Sequence, residues 1–149
     1  ETGKFDILDL ETIAECGTVV HPQGLANQLR GGAVWGIGLS ALERHLYDPQ
    51  NGLPASSGFW QSKIPTYLDT PAEIGTGWVD LPDPENPVGA RGIGEPSMGA
   101  VSAALNAAIS DALGGHMFDA APVTTDMIVN HIAGISEDAT PLAQNNFRG

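Results

Sequence analysis

The stretch Gly89-Ala90-Arg91-Gly92-Ile93-Gly94-Glu95-Pro96-Ser97 holds one carboxylate in a glycine-rich turn just ahead of a helix-forming sequence. A carboxylate kept ionised by the positive end of a helix and shielded from water can take a proton as a general base. Gly92 and Gly94 permit unusual backbone angles and close approach of a ligand, while Pro96 directs Glu95 toward extended backbone outside the helix. The plain alternative is that Glu95 satisfies exposed N–H groups at the helix start, and the residues alone favour that use. Arg91 can bind an anion or pair with a neighbouring acid, a surface role being its simplest use. Gln28 with Gly31-Gly32 makes a second place where an amide and bare backbone could meet a polar ligand. Neither stretch carries a nucleotide signature, because no G-x-G-x-x-G opens a βαβ unit and no G-x-x-x-x-G-K-[ST] occurs.

Metal chemistry based on protein ligands is not expected. Cys16 is the single cysteine, and His21, His45, His116 and His131 lie too far apart for a recognisable zinc motif. Eighteen acidic residues against six basic ones give a net charge of -12, which disfavours nucleic acid and anionic membrane surfaces as partners. The sequence shows no 18-residue apolar run and no signal leader, so neither a membrane span nor secretion is expected. The cytoplasm is the expected compartment, with the periplasm as the alternative for a processed chain.

The elements that must position these residues follow from periodicity. Glu1-Thr2-Gly3-Lys4 resembles a hairpin turn leading into a strand over Phe5 to Leu10, and a turn of this kind needs a strand on its other side. A cleaved polypeptide or a subunit of a split enzyme would supply it. Thr12 to Val20 reads as a second strand ending at His21-Pro22. From Gln23, Leu25, Leu29, Ala33, Ile37 and Ala41 recur at helical spacing, although glycines 31, 32, 36 and 38 each weaken a helix by about 1 kcal/mol. Close packing must offset that cost. Leu53 to Tyr67 reads as extended, and Ile74 to Leu81 as a strand with Trp78 and Val79 as core candidates. Prolines 82, 84 and 87 form a stiff loop delivering the Glu95 turn. Ser97 is the expected N-cap of a helix carrying Met98, Val101, Leu105, Ala108 and Ala112 on one stripe and ending at Gly114-Gly115. A short helix is expected over Met127 to Ala133, followed by a polar tail.

Taken together, Glu15-Cys16-Gly17 with His21-Pro22, Gln28-Leu29-Arg30-Gly31-Gly32, Gly36-Ile37-Gly38 with Leu42-Glu43, Lys63-Ile64-Pro65, the Gly89 to Pro96 stretch and Ala121-Pro122-Val123-Thr124 resemble the molybdenum hydroxylases of the xanthine dehydrogenase and aldehyde oxidase type. The resemblance covers roughly residues 1 to 133. It implies an α+β fold: residues 1–133 as the C-terminal part of a molybdopterin-binding domain, completed by another polypeptide, and 134–149 as a polar tail.

By resemblance, Glu95 is the catalytic base that deprotonates a hydroxyl on molybdenum, whose oxygen then attacks an electron-poor carbon of an aldehyde or aromatic N-heterocycle. Gln28 matches the family's pterin-contacting glutamine, Gly92, Ile93 and Gly94 the backbone beside the site, and Arg91 a basic position near the cofactor. The metal is held through the pterin dithiolene, so no protein ligand to it is implied. Trp35, where xanthine dehydrogenases often have glutamine, and Ser97-Met98, where they have Pro-Leu, disfavour a purine substrate. The resemblance further implies a molybdopterin-type cofactor shared with an upstream polypeptide, and [2Fe-2S] and FAD groups on partner chains or domains. A non-catalytic assembly subunit of such a complex is the alternative.

Overall fold

Pro22 opens the long helix of this chain, at a position where its missing N–H costs nothing and its fixed φ suits the first turn. His21 caps that turn, its Nδ1 accepting the Gly24 N–H at 2.7 Å. The computed structural model describes residues 2–135. In chain order it contains β1 (Glu11–Glu15), α1 (Pro22–Ala41), the single-turn α2 (Phe59–Ser62), a 3-10 turn (Tyr67–Asp69), β2 (Gly75–Val79), α3 (Pro96–Ala112) and α4 (Thr125–Ala133). This is the expected α+β architecture, with packed helices and a small sheet. From residue 136 onward, the expected polar tail lies outside the described residues.

Leu25, Leu29, Ala33 and Ile37 are buried four residues apart on α1, and Val101, Leu105 and Ile109 form the matching stripe on α3. The helix runs unbroken through glycines 31, 32, 36 and 38 because two of them sit where α3 comes closest. A Cβ at Gly36 would stand 2.7 Å from Val101 Cβ and 2.8 Å from the Met98 carbonyl, and one at Gly32 would collide with Ser97 Oγ. Bare backbone at these positions lets the helices touch, and the packing gained offsets the propensity lost. Ser40 adds a polar tie: its buried Oγ lies 2.8 Å from the Gly36 carbonyl and 3.0 Å from the Ser102 carbonyl, while its own carbonyl accepts the Val123 N–H at 2.7 Å.

β1 and β2 pair in parallel, from Glu11 opposite Gly75 to Glu15 opposite Val79. Several expectations change here. Residues 5–10 form no strand, since among the described residues only the Leu10 carbonyl finds a backbone partner, the Gly75 N–H at 2.9 Å. The strand expected over 12–20 stops at Glu15, because the chain turns at Gly17, whose φ is 69°. Trp78 and Val79, expected in the core, are 37% and 50% exposed, since their part of the sheet is left open among the described residues. Instead of extended chain, 53–67 supplies α2 and the entry to the 3-10 turn, where the Thr66 N–H donates to Asp69 at 2.7 Å. That capping box was not read from the sequence. Ala108 and Ala112, expected on the packed stripe, instead line an open groove of about 650 Å³ between residues 3–11 and the helices.

The helix contact generates a pair of opposite predictions. Gly36→Ala should destabilise the fold by about 1–3 kcal/mol through overpacking against Val101. Gly31→Ala, where an added Cβ meets nothing within 4 Å, should stabilise it by about 0.5–1 kcal/mol. Denaturant midpoints of the two variants against the parent check both signs.

Candidate functional site

Gln28 sits on the exposed side of α1, one turn before the Gly32 contact with α3. That contact brings the start of α3, and the loop before it, over the first half of α1. A Cβ built on Gly94 would lie 3.6 Å from Gln28 Oε1, so the amide and the residue preceding Glu95 are neighbours. Gly92 has open space on its Cβ side, and Ile93 is half buried against the cluster of Cys16, Leu25 and Leu29. The expected residues Gln28, Ile93, Gly94 and Glu95 therefore converge where α1 meets the start of α3.

Glu95 is exposed and occupies the N-cap position of α3, but its carboxylate makes no capping hydrogen bond. The alternative use as a helix cap is not what this geometry shows. Its backbone is at φ -100° and ψ -26°, in the helical region and not the extended one that Pro96 favours. Entry into α3 overrides the local preference, since the Met98 N–H must reach the Glu95 carbonyl, at 2.9 Å. Ser97, the expected cap, lies one residue inside the helix with its side chain turned to Gly32. Its Oγ is buried and has no hydrogen-bond partner in this structure.

The loop ahead of Glu95 is tied to the end of β1. Gly17 and Ala90 form an antiparallel bridge, the Arg91 N–H donates to the Cys16 carbonyl at 2.7 Å, and the Thr18 N–H donates to the Gly89 carbonyl at 2.7 Å. Gly89, at φ 72°, turns the chain there and takes the Asp83 N–H on the same carbonyl at 2.8 Å. Arg91, expected beside a cofactor, directs its guanidinium to two acids: Nη1 to Glu15 Oε2 at 2.6 Å and Nε to Asp83 Oδ2 at 2.9 Å. The hydrogen bond from Arg91, then that from the Glu85 N–H, holds the Asp83 carboxyl below the usual aspartate range, and the bond to Asp83, with the charges of Asp83 and Glu15, raises the Arg91 guanidinium. A lowered folded-state value means that the stabilisation is present above the ordinary aspartate range and is lost as pH falls through the lowered value. Glu15 and Asp83 were missed as site residues. The only sequence signals were Glu15's place in a matched motif and Asp83's place among the prolines.

Gln28 can both donate and accept, Gly92 and Gly94 leave bare backbone beside it, and the Glu95 carboxylate makes no capping bond to the helix. This donor set suits a polar cofactor that makes hydrogen bonds with an amide and backbone. Among the described residues, no group of three or more His, Cys, Asp or Glu side chains could hold a metal ion.

Residues 1–71, which include Gln28 but end before Glu95, match the molybdopterin cofactor-binding domain family. The chain is 34% identical over 138 residues to the 6-hydroxypseudooxynicotine dehydrogenase complex subunit gamma of Paenarthrobacter nicotinovorans, covering 92% of this chain and 17% of that protein. It is 29% identical to the nicotine 6-hydroxylase large subunit of the same organism, covering 90% of this chain and 16% of the relative. Among solved structures, quinoline 2-oxidoreductase from Pseudomonas putida 86 superposes with a TM-score of 0.79 at 32% identity, over 86% of this chain and 16% of that one. The chain thus spans about one sixth of these relatives, and the matches do not single out the xanthine dehydrogenase and aldehyde oxidase branch. By sequence and fold, it belongs to the structural superfamily of molybdopterin-binding domains that molybdenum hydroxylases share.

Proposed function

We propose that this chain supplies the general base and one wall of the cofactor pocket of a molybdenum-dependent hydroxylase. The observation that carries the reading is the approach of Gln28 Oε1 to Gly94, directly before a Glu95 carboxylate that caps nothing. When bound, a molybdopterin-type cofactor supplies the two-electron oxidant for hydroxylating an electron-poor carbon. Gln28 and the backbone of Gly92, Ile93 and Gly94 would hold the polar edge of such a cofactor beside Glu95. Glu95 accepts the proton released as water-derived oxygen attacks the substrate. Arg91 acts in this reading from outside the pocket, through the loop.

The substrate class is an aldehyde or, closer to the relatives named for nicotine and quinoline, an aromatic N-heterocycle. Residues 1–133 form the C-terminal part of a molybdopterin-binding domain, and the cofactor is shared with an upstream polypeptide. Iron-sulfur and flavin centres on partner chains carry the electrons onward. The apolar groove, and exposed Leu8, Phe59, Trp60 and Leu68, support burial against other polypeptide in the assembly. No helix among the described residues is long and apolar enough to cross a membrane.

Two substitutions test the reading in the complete assembly. Glu95→Gln should leave molybdenum and pterin content nearly unchanged and lower turnover by at least about 100-fold. Near-normal turnover would overturn the assignment. Gln28→Ala should lower the pterin and molybdenum content of the purified complex, read by metal analysis and pterin fluorescence; full occupancy would remove Gln28 from the cofactor's contacts.

A further inference from the structure

We propose that Glu15 and Asp83 are positioning residues for Glu95, acting through Arg91 as a two-carboxylate brace on the loop that carries it. The inference rests on the reading of Glu95 as the proton acceptor. Residues 89–95 contain three glycines, so local preferences do little to hold this loop in one conformation. Between Gly92 and Gly94, Ile93 packs against a core cluster, and the Glu95 carbonyl accepts the Met98 N–H in the first turn of α3. Upstream restraint comes from the backbone bonds of residues 89–91 to Cys16 and Thr18 and, for side chains, from the Arg91 guanidinium.

The brace joins Arg91 to Asp83, 8 residues earlier, and to Glu15, 76 residues away. Arg91 uses two different edges of its guanidinium, one for Glu15 at the end of β1 and one for Asp83 in the proline loop. Each acid is itself held by backbone: Glu15 Oε1 accepts the Gly17 N–H at 2.7 Å, and Asp83 Oδ1 accepts the Glu85 N–H at 2.9 Å. Glu15 and Asp83 side chains are 33% and 13% exposed, against 49% for Arg91, so solvent screens the pairs in part. Exposed ion pairs add little to global stability. Their effect is local, on where the loop rests, and a general base tolerates little displacement. A planar fork can serve both acids at once, whereas a lysine ammonium offers a single point of charge.

The test uses the complete molybdenum-containing assembly with Asp83→Asn, Glu15→Gln and Arg91→Lys, and with Asp83→Asn combined with Glu95→Gln. Molybdenum content, kcat, KM and amide hydrogen exchange of the 89–98 segment are measured. Expected are unchanged molybdenum content and KM, kcat lowered by about 10- to 100-fold, and faster exchange at residues 91–95. Arg91→Lys should fall between parent and Asp83→Asn. In the Glu95→Gln background, Asp83→Asn should lower the residual turnover no further, because the brace acts only through that carboxylate. Unchanged exchange in the single variants overturns the brace, whatever happens to cofactor content or turnover. Faster exchange with an equal fractional loss of turnover in both backgrounds overturns the link to Glu95. Normal turnover of Glu95→Gln alone would instead reject the reading of Glu95 as base, while the exchange rates still decide whether the brace holds the loop.

Discussion

The contact of α1 with α3 at Gly32 and Gly36 sets the geometry on which the candidate site depends. At these two positions the helix surface is backbone alone, and Ser97, Met98 and Val101 occupy the space that side chains would fill. The separation between the helices is thereby fixed by atoms that cannot rotate away, unlike a seam of flexible side chains. Gln28 lies one turn before this seam and Glu95 at the first turn of the facing helix, so their relation follows from the helix packing. The Ser40 hydroxyl near the Ser102 carbonyl reinforces the same seam one turn beyond Gly36.

Electrostatics act at shorter range. With 18 acidic and six basic residues, repulsion would favour splaying apart acids that the fold brings together. At the end of β1, one arginine meets two of those acids and ties the proline loop, the strand and the glycine loop to one point. Backbone bonds from Cys16 and Thr18 make the same connection without charge. Glu95, a few residues on, is left out of both networks, and its carboxylate remains available for chemistry.

The surface away from this region is unusually apolar for an exposed one. Leu8 is 93% exposed and Leu68 91%, and an apolar groove is lined by residues 3–11 together with α3 and α4. The two-stranded sheet is correspondingly thin, because strands of this kind are stabilised by neighbours on both edges and by a covered face. The missing strand over residues 5–10 and the exposure of Trp78 and Val79 share this cause. Local sequence specified strand character there, and no ladder among the described residues completes it.

Both long helices were legible from periodicity, since Leu25, Leu29, Ala33 and Ile37, and Val101 and Leu105, are set by a repeat that depends only on nearby residues. The C-terminal stop of α3 was legible too, because Gly114 and Gly115 adopt φ of 75° and 90° as local backbone choices. The glycine turn bearing Glu95 was visible, along with the order of motifs that mark the superfamily. The tertiary structure decided what meets across the chain: the Glu15 partner of Arg91 lies 76 residues away, and Gln28 reaches Gly94 only because two helices touch. Periodicity and propensity encode which way a residue faces, whereas such pairings depend on how separate elements pack, and that is settled by steric fit over the whole fold.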